Sequence, residues 1–340
     1  MAARPRPGDS MTERERFLSI IGGGAPDRVP VFDLEPAEDT VALWRRQGLP
    51  RGVSVAEHFG LEVHEQVGLE IRSSPFYRGA PDLLDGLDAF DRHYDPDDPD
   101  RIPSDVDARC ERAHRDGRVV ALGASGGGLL QMLGVNSWQS LVAACEALVE
   151  RSAYVEALLD RTSDFHCLML DRVLSRVEVD YATIYEPIAS NAGPIVSPEM
   201  FERYAMPGHR RVLALLERRG VRHRILCTTG GDLSSLLPFF LDAGVNGLWI
   251  SNIMVPEMEY RNLRREYGPE ISLIGGIDAT SLVRGAGAVR RAIEATVPPL
   301  LDEGRYLPCL NDRPRDDTPF DMYAMYREVL AEVAEGTLDR

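Results

Sequence analysis

The sequence contains no lysine. All 38 of its lysine and arginine positions are arginine. Several classes of α/β enzyme depend on a lysine amine or ammonium group. They include Schiff-base aldolases, pyridoxal-phosphate enzymes, P-loop nucleotidases and enolase-type enzymes with a lysine base. The absence of lysine excludes these classes before any motif is considered.

Closely spaced cysteine pairs are also absent. The 5 cysteines are widely spread, and none of them forms a CxxC pair. This usage is typical of reduced thiols in the cytoplasm rather than of a disulfide framework. The first residues lack the apolar core of a signal peptide, and no uninterrupted apolar run is long enough to span a bilayer. We therefore expect a cytoplasmic protein that does not associate with a membrane.

Acidic side chains outnumber basic ones, which gives a formal net charge of -16. Nucleic acids and anionic membranes repel such a surface, so we expect neither as a partner. A chain of 340 residues can bury a full core. We expect a disordered leader at residues 1–10, followed by one large domain at residues 11–340.

Residues 179–312 repeat one unit, which consists of a short apolar run, a polar or glycine-bearing tip and an amphipathic segment. The tips carry Glu186, the turn at residues 228–232, Asn252, Asp278 and residues 311–313. Repeated strand-helix units predict a parallel sheet, whose active site lies at the carboxyl ends of the strands. We predict an α/β fold, namely a single (β/α)8 barrel of the TIM type with an N-terminal helical extension.

The N-terminal part contains two local signals. Thr12 and Glu15 have the spacing of a capping box and predict the start of a helix. Residues 28–35 (RVPVFDLE) predict a first buried strand, whose tip carries Asp33 and Glu35. Those two carboxylates are either site residues, as at the tip of a barrel strand, or a solvated strand end.

Two further local patterns bear on the site. An apolar run at residues 119–122 precedes the glycine-rich residues 123–128, which either approach a ligand closely or form a tight turn. Ser197 and Pro198 predict the start of a long helix that runs to Arg219. We leave His209, which lies in this helix, out of the site, because a single helical histidine is more often a packed or surface residue.

A series of segments in one order carries a family resemblance. The segments are RF at residues 16–17, APDRVPV at 25–31, GPIVSPEMF at 193–201, LP at 237–238, DAGVNG at 242–247, LRREYG at 263–268, LIGGID at 273–278 and GRYLPC at 304–309. They resemble the uroporphyrinogen decarboxylase superfamily, which includes the decarboxylase and corrinoid-linked methyltransferases. The resemblance covers most of the chain, and it implies a homodimeric barrel with a small-molecule substrate and, for a methyltransferase, a corrinoid protein as partner.

The chain departs from the true decarboxylase after Pro30. That enzyme carries an arginine-rich signature that holds the carboxylates of its porphyrinogen, whereas residues 31–36 here read VFDLEP. The acidic Asp33 and Glu35 would repel a substrate that bears many carboxylates. We therefore do not expect uroporphyrinogen to be the substrate.

The chain also departs from the thiol-methylating members of the superfamily. Those members bind zinc through a His-x-Cys turn and a later cysteine, whereas the turn here reads TTGG at residues 228–231. Only Cys309 stands where the later ligand is expected. We expect no bound metal, and an atypical zinc site built from Cys227, Cys309 and Glu186 is the alternative.

The resemblance implies methyl transfer. Because zinc in these barrels generates a thiolate, a member without zinc is expected to use a non-thiol acceptor, such as the N5 amine of tetrahydrofolate, with a corrinoid as the other co-substrate. Glu186 and Asp278 are expected to be the acid-base groups. The residues expected to bind substrate are Asp33, Glu35, Thr228, Asn252, Cys309, Asp312 and Arg313.

Each of these roles has a structural alternative. Asp278 could cap the following helix, Glu186 could pair with an arginine, and Arg313 and Arg315 could form surface ion pairs with Asp316 and Asp317.

Two alternatives to methyl transfer also remain open. One is decarboxylation of a smaller carboxylated substrate, held by Arg72, Arg78 or Arg313. The other is a non-catalytic barrel that binds a ligand or a corrinoid protein without turnover.

Overall fold

The structure is a computed structural model that describes residues 10–71, 86–88, 90, 94–123, 127–228, 231–251 and 255–338. The expected leader, apart from Ser10, lies outside the described residues, as do Asn252, Arg72 and Arg78. The chain divides into two compact units. Unit 1 comprises Met1–Glu65, Ala113–Val119 and Gly247–Arg340, and unit 2 comprises Gln66–Arg112 and Val120–Asn246.

The chain alternates between strands and helices over most of its length. The strands are β1 (Glu65–Gln66), β2 (Val120–Leu122), β3 (Tyr181–Tyr185), β4 (Ala189–Ser190), β5 (Gly193–Pro194), β6 (His223–Thr228), β7 (Gly247–Ile250), β8 (Ser272–Ile277) and β9 (Tyr306–Leu310). The α-helices are α1 (Glu13–Ile21), α2 (Glu38–Gln47), α3 (Val55–Phe59), α4 (Val106–Arg115), α5 (Leu129–Met132), α6 (Trp138–Glu150), α7 (Ser152–Leu174), α8 (Pro198–Tyr204), α9 (Met206–Arg218), α10 (Leu237–Asp242), α11 (Tyr260–Tyr267), α12 (Ala286–Glu303) and α13 (Phe320–Leu338). Within the described ranges, 3-10 helices cover Pro99–Arg101, Pro256–Met258 and Ala279–Arg284.

Unit 2 contains the parallel strands β2, β3 and β6, with β3 in the middle. Ala121 of β2 lies opposite Tyr181, and Tyr185 at the end of β3 lies opposite Cys227 of β6. Helix α7 packs against α6 and α9. Along β3, Ala182 and Ile184 are fully buried. The alternate residues of β3 are more accessible towards its end, so the two faces of the ladder have different surroundings.

Unit 1 contains the parallel strands β7, β8 and β9, in which every residue is buried. Helix α12 packs against α13. Strand β8 contains Gly275 and Gly276, whose φ angles are 103° and 85°. A Cβ at Gly276 would lie 2.9 Å from the Tyr260 ring, so this close approach also requires glycine.

The prediction of an α/β fold with parallel strands is confirmed. The closed eight-stranded barrel and its N-terminal extension stay predictions. The capping box is confirmed, because Thr12 caps α1 and the Glu15 side chain accepts from the Thr12 N–H. Among the residues that the structure describes, no helix is long and apolar enough to cross a membrane.

Two local predictions are wrong. Residues 28–35 form no strand. Pro30 has no N–H to donate to a ladder, although the Val31 carbonyl accepts from Glu62. The helix expected from Ser197 to Arg219 is interrupted at Ala205, where α8 ends and α9 begins. Pro207 explains the break, because it cannot donate to the carbonyl of Arg203 and its ring crowds that group.

Candidate active site

Glu186 follows β3 directly, as expected for a residue at a strand tip, and its side chain is fully buried. The N–H of Leu129 at the start of α5 donates to both carboxylate oxygens, at 3.1 and 3.2 Å. A Cβ at Gly128 would lie 2.7 Å from Oε1 of Glu186, so glycine there permits the close approach. The glycine-rich segment therefore contacts Glu186 through its last residue, Gly128.

The partner of Glu186 is His209, which the sequence analysis left out of the site. Nε2 of His209 lies 3.0 Å from Oε2 of Glu186, and both residues are buried. The imidazole ring also lies against Phe240, with the ring centroids 5.2 Å apart. The available signal was that His209 shares the otherwise apolar, buried face of α9 with Val212 and Leu216.

Thr228 ends β6 beside Glu186. Tyr185 lies opposite Cys227, and the Glu186 N–H donates to the Cys227 carbonyl at 3.1 Å, so the next residues of the two strands, Glu186 and Thr228, are neighbours. Thr228 is fully buried, and no hydrogen-bond partner of its Oγ1 lies among the described residues. The structure thus brings these two predicted site residues together in unit 2.

Asp33 lies in unit 1, where four donors enclose its carboxylate. They are the N–H of Leu310 at 2.8 Å, the hydroxyls of Tyr323 at 2.9 Å and Tyr326 at 3.1 Å, and the guanidinium of Arg327 at 2.7 Å. The three side-chain donors all come from α13. Asp33 is therefore a charge-balanced buried group rather than an exposed acidic tip, whereas Glu35 is exposed.

Cys309 lies in β9, and its thiol is fully buried. Burial raises the pKa of this thiol well above its ordinary value, and the nearby Asp33 carboxylate raises it further. Cys309 therefore carries a protonated thiol in this environment. The described part of the chain contains no group of three or more His, Cys, Asp or Glu side chains arranged to hold a metal ion.

Asp278 lies at the carboxyl end of β8, and its contacts are those of a helix cap. Its carboxylate accepts from the Thr280 N–H at 2.9 Å and the Thr280 hydroxyl at 2.6 Å, and it lies 3.4 Å from Arg284. The side chain is 15% exposed, which leaves it more accessible than Glu186. Its acid-base role stays a prediction.

Asn311, which the sequence analysis did not assign to the site, links the tips of three strands. Its Nδ2 donates to the carbonyl of Ser251 after β7, and its Oδ1 accepts from the N–H of Ala279 at 2.9 Å. Its own N–H donates to the Ile277 carbonyl at 2.8 Å. Asn311 therefore fixes the backbone next to Asp278. A buried amide directly after a strand is the signal that could have found it.

Asp312 and Arg313, which follow Asn311, are exposed. The Asp312 carboxylate accepts from the Arg313 N–H at 2.7 Å. Arg315 forms a bidentate ion pair with Asp317, at 2.9 and 3.1 Å. This is one of the surface ion pairs that the sequence analysis gave as the structural alternative. Substrate binding by Asp312 and Arg313 stays a prediction.

The fold and these strand tips define a class of protein: an α/β protein with parallel strands and with polar side chains at the carboxyl end of β6 and directly after the carboxyl ends of β3, β8 and β9. The family model described as uroporphyrinogen decarboxylase (URO-D) matches residues 55–307. The chain therefore belongs to the uroporphyrinogen decarboxylase family, which confirms the resemblance drawn from its motifs.

A solved structure of a methyltransferase from Methanosarcina mazei is similar to the chain with a TM-score of 0.62. The similarity covers 96% of this chain and 99% of the methyltransferase, at 16% sequence identity. At that identity the similarity shows a common fold. No curated protein matches the sequence.

Proposed function

We propose that this chain is a methyltransferase that moves a methyl group between a corrinoid and a non-thiol acceptor such as tetrahydrofolate, without zinc. The observation that carries the proposal is the fold similarity to a methyltransferase over 96% of the chain. A corrinoid protein as partner, a cytoplasmic location, a homodimer and a closed barrel with an N-terminal helical extension are parts of the same proposal.

The donor chemistry at the strand tips supports a non-thiol acceptor. Zinc sites that activate thiols use thiolate and imidazole ligands. Thr228 offers only a buried hydroxyl, Gly230 has no side chain, and the Cys309 thiol is sealed in the core of unit 1. These residues do not fit the zinc site of the thiol-methylating relatives. An amine acceptor needs no thiolate, so it is compatible with this donor set.

The surroundings of the two carboxylates support different roles. Asp278 is partly exposed and is held in place by Thr280, so we assign proton transfer to it. Glu186 is enclosed by His209 and the Leu129 N–H, so we assign it the positioning of the end of β3 and the start of α5. Methylation of the N5 amine of tetrahydrofolate breaks its N–H bond, and the Asp278 carboxylate can accept the released proton. In the reverse direction the protonated carboxyl group returns the proton to N5.

Decarboxylation of a smaller carboxylated substrate is the second candidate. It is favoured by the family match and by the surroundings of Asp33. Because Arg327 and two tyrosines balance the Asp33 carboxylate, this residue does not repel a carboxylated ligand as the sequence analysis expected. Of the three arginines expected to hold the substrate carboxylate, Arg313 is the one that the structure describes, and it is exposed.

The visible spectrum of the corrinoid tests the proposal. Methylcobalamin, or a methylated corrinoid protein, is mixed with tetrahydrofolate and the purified protein. We expect demethylation, and we expect Asp278→Asn to slow it by about a hundredfold or more. No demethylation with the corrinoid protein present, together with carbon dioxide release from a carboxylated substrate, would favour the decarboxylase.

A further inference from the structure

The ladder of β2, β3 and β6 in unit 2 has one face covered by helices, whereas the opposite face is partly accessible at its carboxyl end. Ala182, Ile184 and Glu186 lie on the covered face, because Glu186 contacts His209 of α9 and Leu129 of α5. Side chains alternate along a strand, so Thr183 and Tyr185 point to the opposite face. Both are half-buried, unlike their fully buried neighbours Ala182 and Ile184.

The register extends this face to the neighbouring strands. Cys227 lies opposite Tyr185 and is also half-buried. Leu122 lies opposite Ala182, so the next residue, Gly123, is level with Thr183. Gly123 is exposed, and a Cβ built on it would lie 3.5 Å from Oε1 of Gln66, which places the Gln66 amide on the same face.

Five residues near the carboxyl end of this face, namely Gln66, Gly123, Thr183, Tyr185 and Cys227, we call the open floor. Ile225, which lies opposite Thr183 on the same face, is fully buried beneath it. The open floor lies at the carboxyl ends of parallel strands, where ligands of such sheets bind. Its side chains are an amide, a hydroxyl, a phenol and a thiol, and none of them is charged at neutral pH in its ordinary state. Adjacent strands are about 4.8 Å apart, so the floor spans about 10 Å from β2 to β6.

We propose that the open floor binds a flat, neutral heterocycle that carries both hydrogen-bond donors and acceptors, such as the two-ring pterin of a folate. This proposal rests on the proposed function, because it names the surface that receives the acceptor. The amide of Gln66 and the hydroxyls of Thr183 and Tyr185 each can donate and accept, which matches a ring with groups of both kinds. Gly123 leaves room for the ring to lie against the backbone.

The same floor selects against polycarboxylates. A carboxylate binds tightly where an arginine or lysine meets it, and the open floor has neither. A substrate with many carboxylates would lose its hydration on this surface without gaining a charged partner. The floor therefore discriminates by the absence of positive charge, and it does not need the acidic repulsion that the sequence analysis assigned to Asp33.

Gly123→Ala tests the floor with little risk to the fold. Its φ lies outside the left-handed region, and among the residues that the structure describes the added methyl group would meet only the Gln66 Oε1 atom, at 3.5 Å, which is ordinary contact. Gly68→Ala is the matched control, because its new methyl group would also meet one described atom, Cγ of Pro103, at 3.5 Å. Tyr185→Phe removes one hydroxyl from the floor.

Binding of pterin and of tetrahydrofolate to the full chain is measured by titration calorimetry, together with the melting temperature and the KM for tetrahydrofolate. We expect Gly123→Ala and Tyr185→Phe each to raise Kd and KM about tenfold, with a nearly unchanged melting temperature and no effect of Gly68→Ala. A porphyrin tetracarboxylate is expected to bind at least tenfold more weakly than pterin.

A second measurement does not depend on floor variants. In a Cys145→Ser, Cys167→Ser background, Cys227 is the half-buried thiol that remains, because Cys110 and Cys309 are buried. We expect N-ethylmaleimide to alkylate Cys227 and saturating pterin to slow that alkylation about tenfold or more. Alkylation at an unchanged rate would place the ligand elsewhere and overturn the proposal.

The outcomes separate the floor from the proposed function. Pterin binding that weakens in both floor variants, without methyl transfer by the wild type, would support the floor and count against the methyltransferase. Methyl transfer with an unchanged KM in both variants would support the methyltransferase and overturn the floor. A wild-type chain that binds neither pterin nor tetrahydrofolate would overturn the assignment of the ligand class.

Discussion

His209 Nε2 and Glu186 Oε2 are 3.0 Å apart in the interior of unit 2, although 23 residues separate them in the sequence. Both side chains are buried, because that of His209 is 2% exposed and that of Glu186 is 0% exposed. A buried carboxylate without a partner is strongly unfavourable, so the imidazole and the Leu129 N–H together explain why Glu186 can be buried. The pair connects α9 to the carboxyl end of β3.

The first prediction concerns this pair. Glu186→Gln keeps the size of the side chain and an acceptor for Leu129, so we expect the fold to persist with a loss of about 1–3 kcal/mol in the free energy of unfolding. Glu186→Ala, which leaves His209 and the Leu129 N–H without their acceptor, is expected to lose about 3–5 kcal/mol. Urea denaturation measures both losses.

Turnover distinguishes a functional pair from a purely structural one. We expect Glu186→Gln to lower the rate of methyl transfer at least tenfold, because the end of β3 carries Tyr185 of the open floor. Glu217→Gln, at an exposed position on the same helix as His209, is the matched control. A normal rate in Glu186→Gln would mean that the pair only stabilises the fold.

The second prediction concerns Asp33 and Arg327, which form a buried ion pair with a 2.7 Å contact. Arg327→Met removes the cation and leaves the carboxylate uncompensated, so we expect a loss of about 3–5 kcal/mol in the free energy of unfolding. In Asp33→Asn/Arg327→Met neither charge remains, so the double variant is expected to lose less than the sum of the single changes. Additive losses would show that the two side chains do not interact.

The third prediction is a pH dependence of stability. Burial lowers the pKa of His166 to about 4, and the Ile71 carbonyl next to Nε2 opposes that shift only in part. In the unfolded chain histidine has a pKa of about 6.5, so the unfolded state takes up the proton first as the pH falls. Stability should therefore decline from about pH 6.5 to about pH 4, by an amount on the order of 3 kcal/mol for this group.

His166→Phe should flatten this decline, measured by urea denaturation at several pH values. The slope is reduced rather than abolished, because burial also lowers the pKa of His64, to about 3, and His64 acts in the same direction. His58→Phe, at an exposed histidine, is the control. An unchanged slope in His166→Phe would contradict the assignment of the decline to this residue.

The fourth prediction concerns metal content. Thr228 and Gly230 occupy the sequence positions at which the resemblance to the thiol-methylating members implies zinc ligands, so we expect the purified protein to contain far less than one zinc ion per chain. Elemental analysis of the wild type and of Cys309→Ser measures it. A stoichiometric zinc ion that disappears in Cys309→Ser would restore thiol chemistry as the function.

Local signals in the sequence were sufficient for several elements. The capping box of Thr12 and the strand that ends before Glu186 depend on residues a few positions apart, so their patterns could be interpreted directly. The strand expected at residues 28–35 is wrong because a short, largely apolar segment does not show whether a neighbouring strand is available to pair with it, and Pro30 cannot donate to a ladder. Burial and pairing are properties of the folded chain.

The partners of the strand-tip residues could not be predicted in the same way. Asp33 meets side chains about 290 positions later in the sequence, and a single sequence carries no information on such a pairing. One signal was present: Tyr323, Tyr326 and Arg327 have the spacing that places them on one face of a helix. That spacing could have predicted a buried polar cluster, although not its acceptor.

The contacts between Asp33 and α13 also have a consequence for the order of folding. All segments of unit 2 precede residue 247, whereas unit 1 needs its first segment and its last one together. During synthesis, the ribosome releases the whole of unit 2 before the donors on α13 exist. Unit 2 can therefore become compact on the nascent chain, while the Asp33 carboxylate stays hydrated until translation is almost complete. Closing so long a loop makes the assembly of unit 1 a late step, and a prematurely terminated chain that lacks α13 would leave unit 1 unfinished.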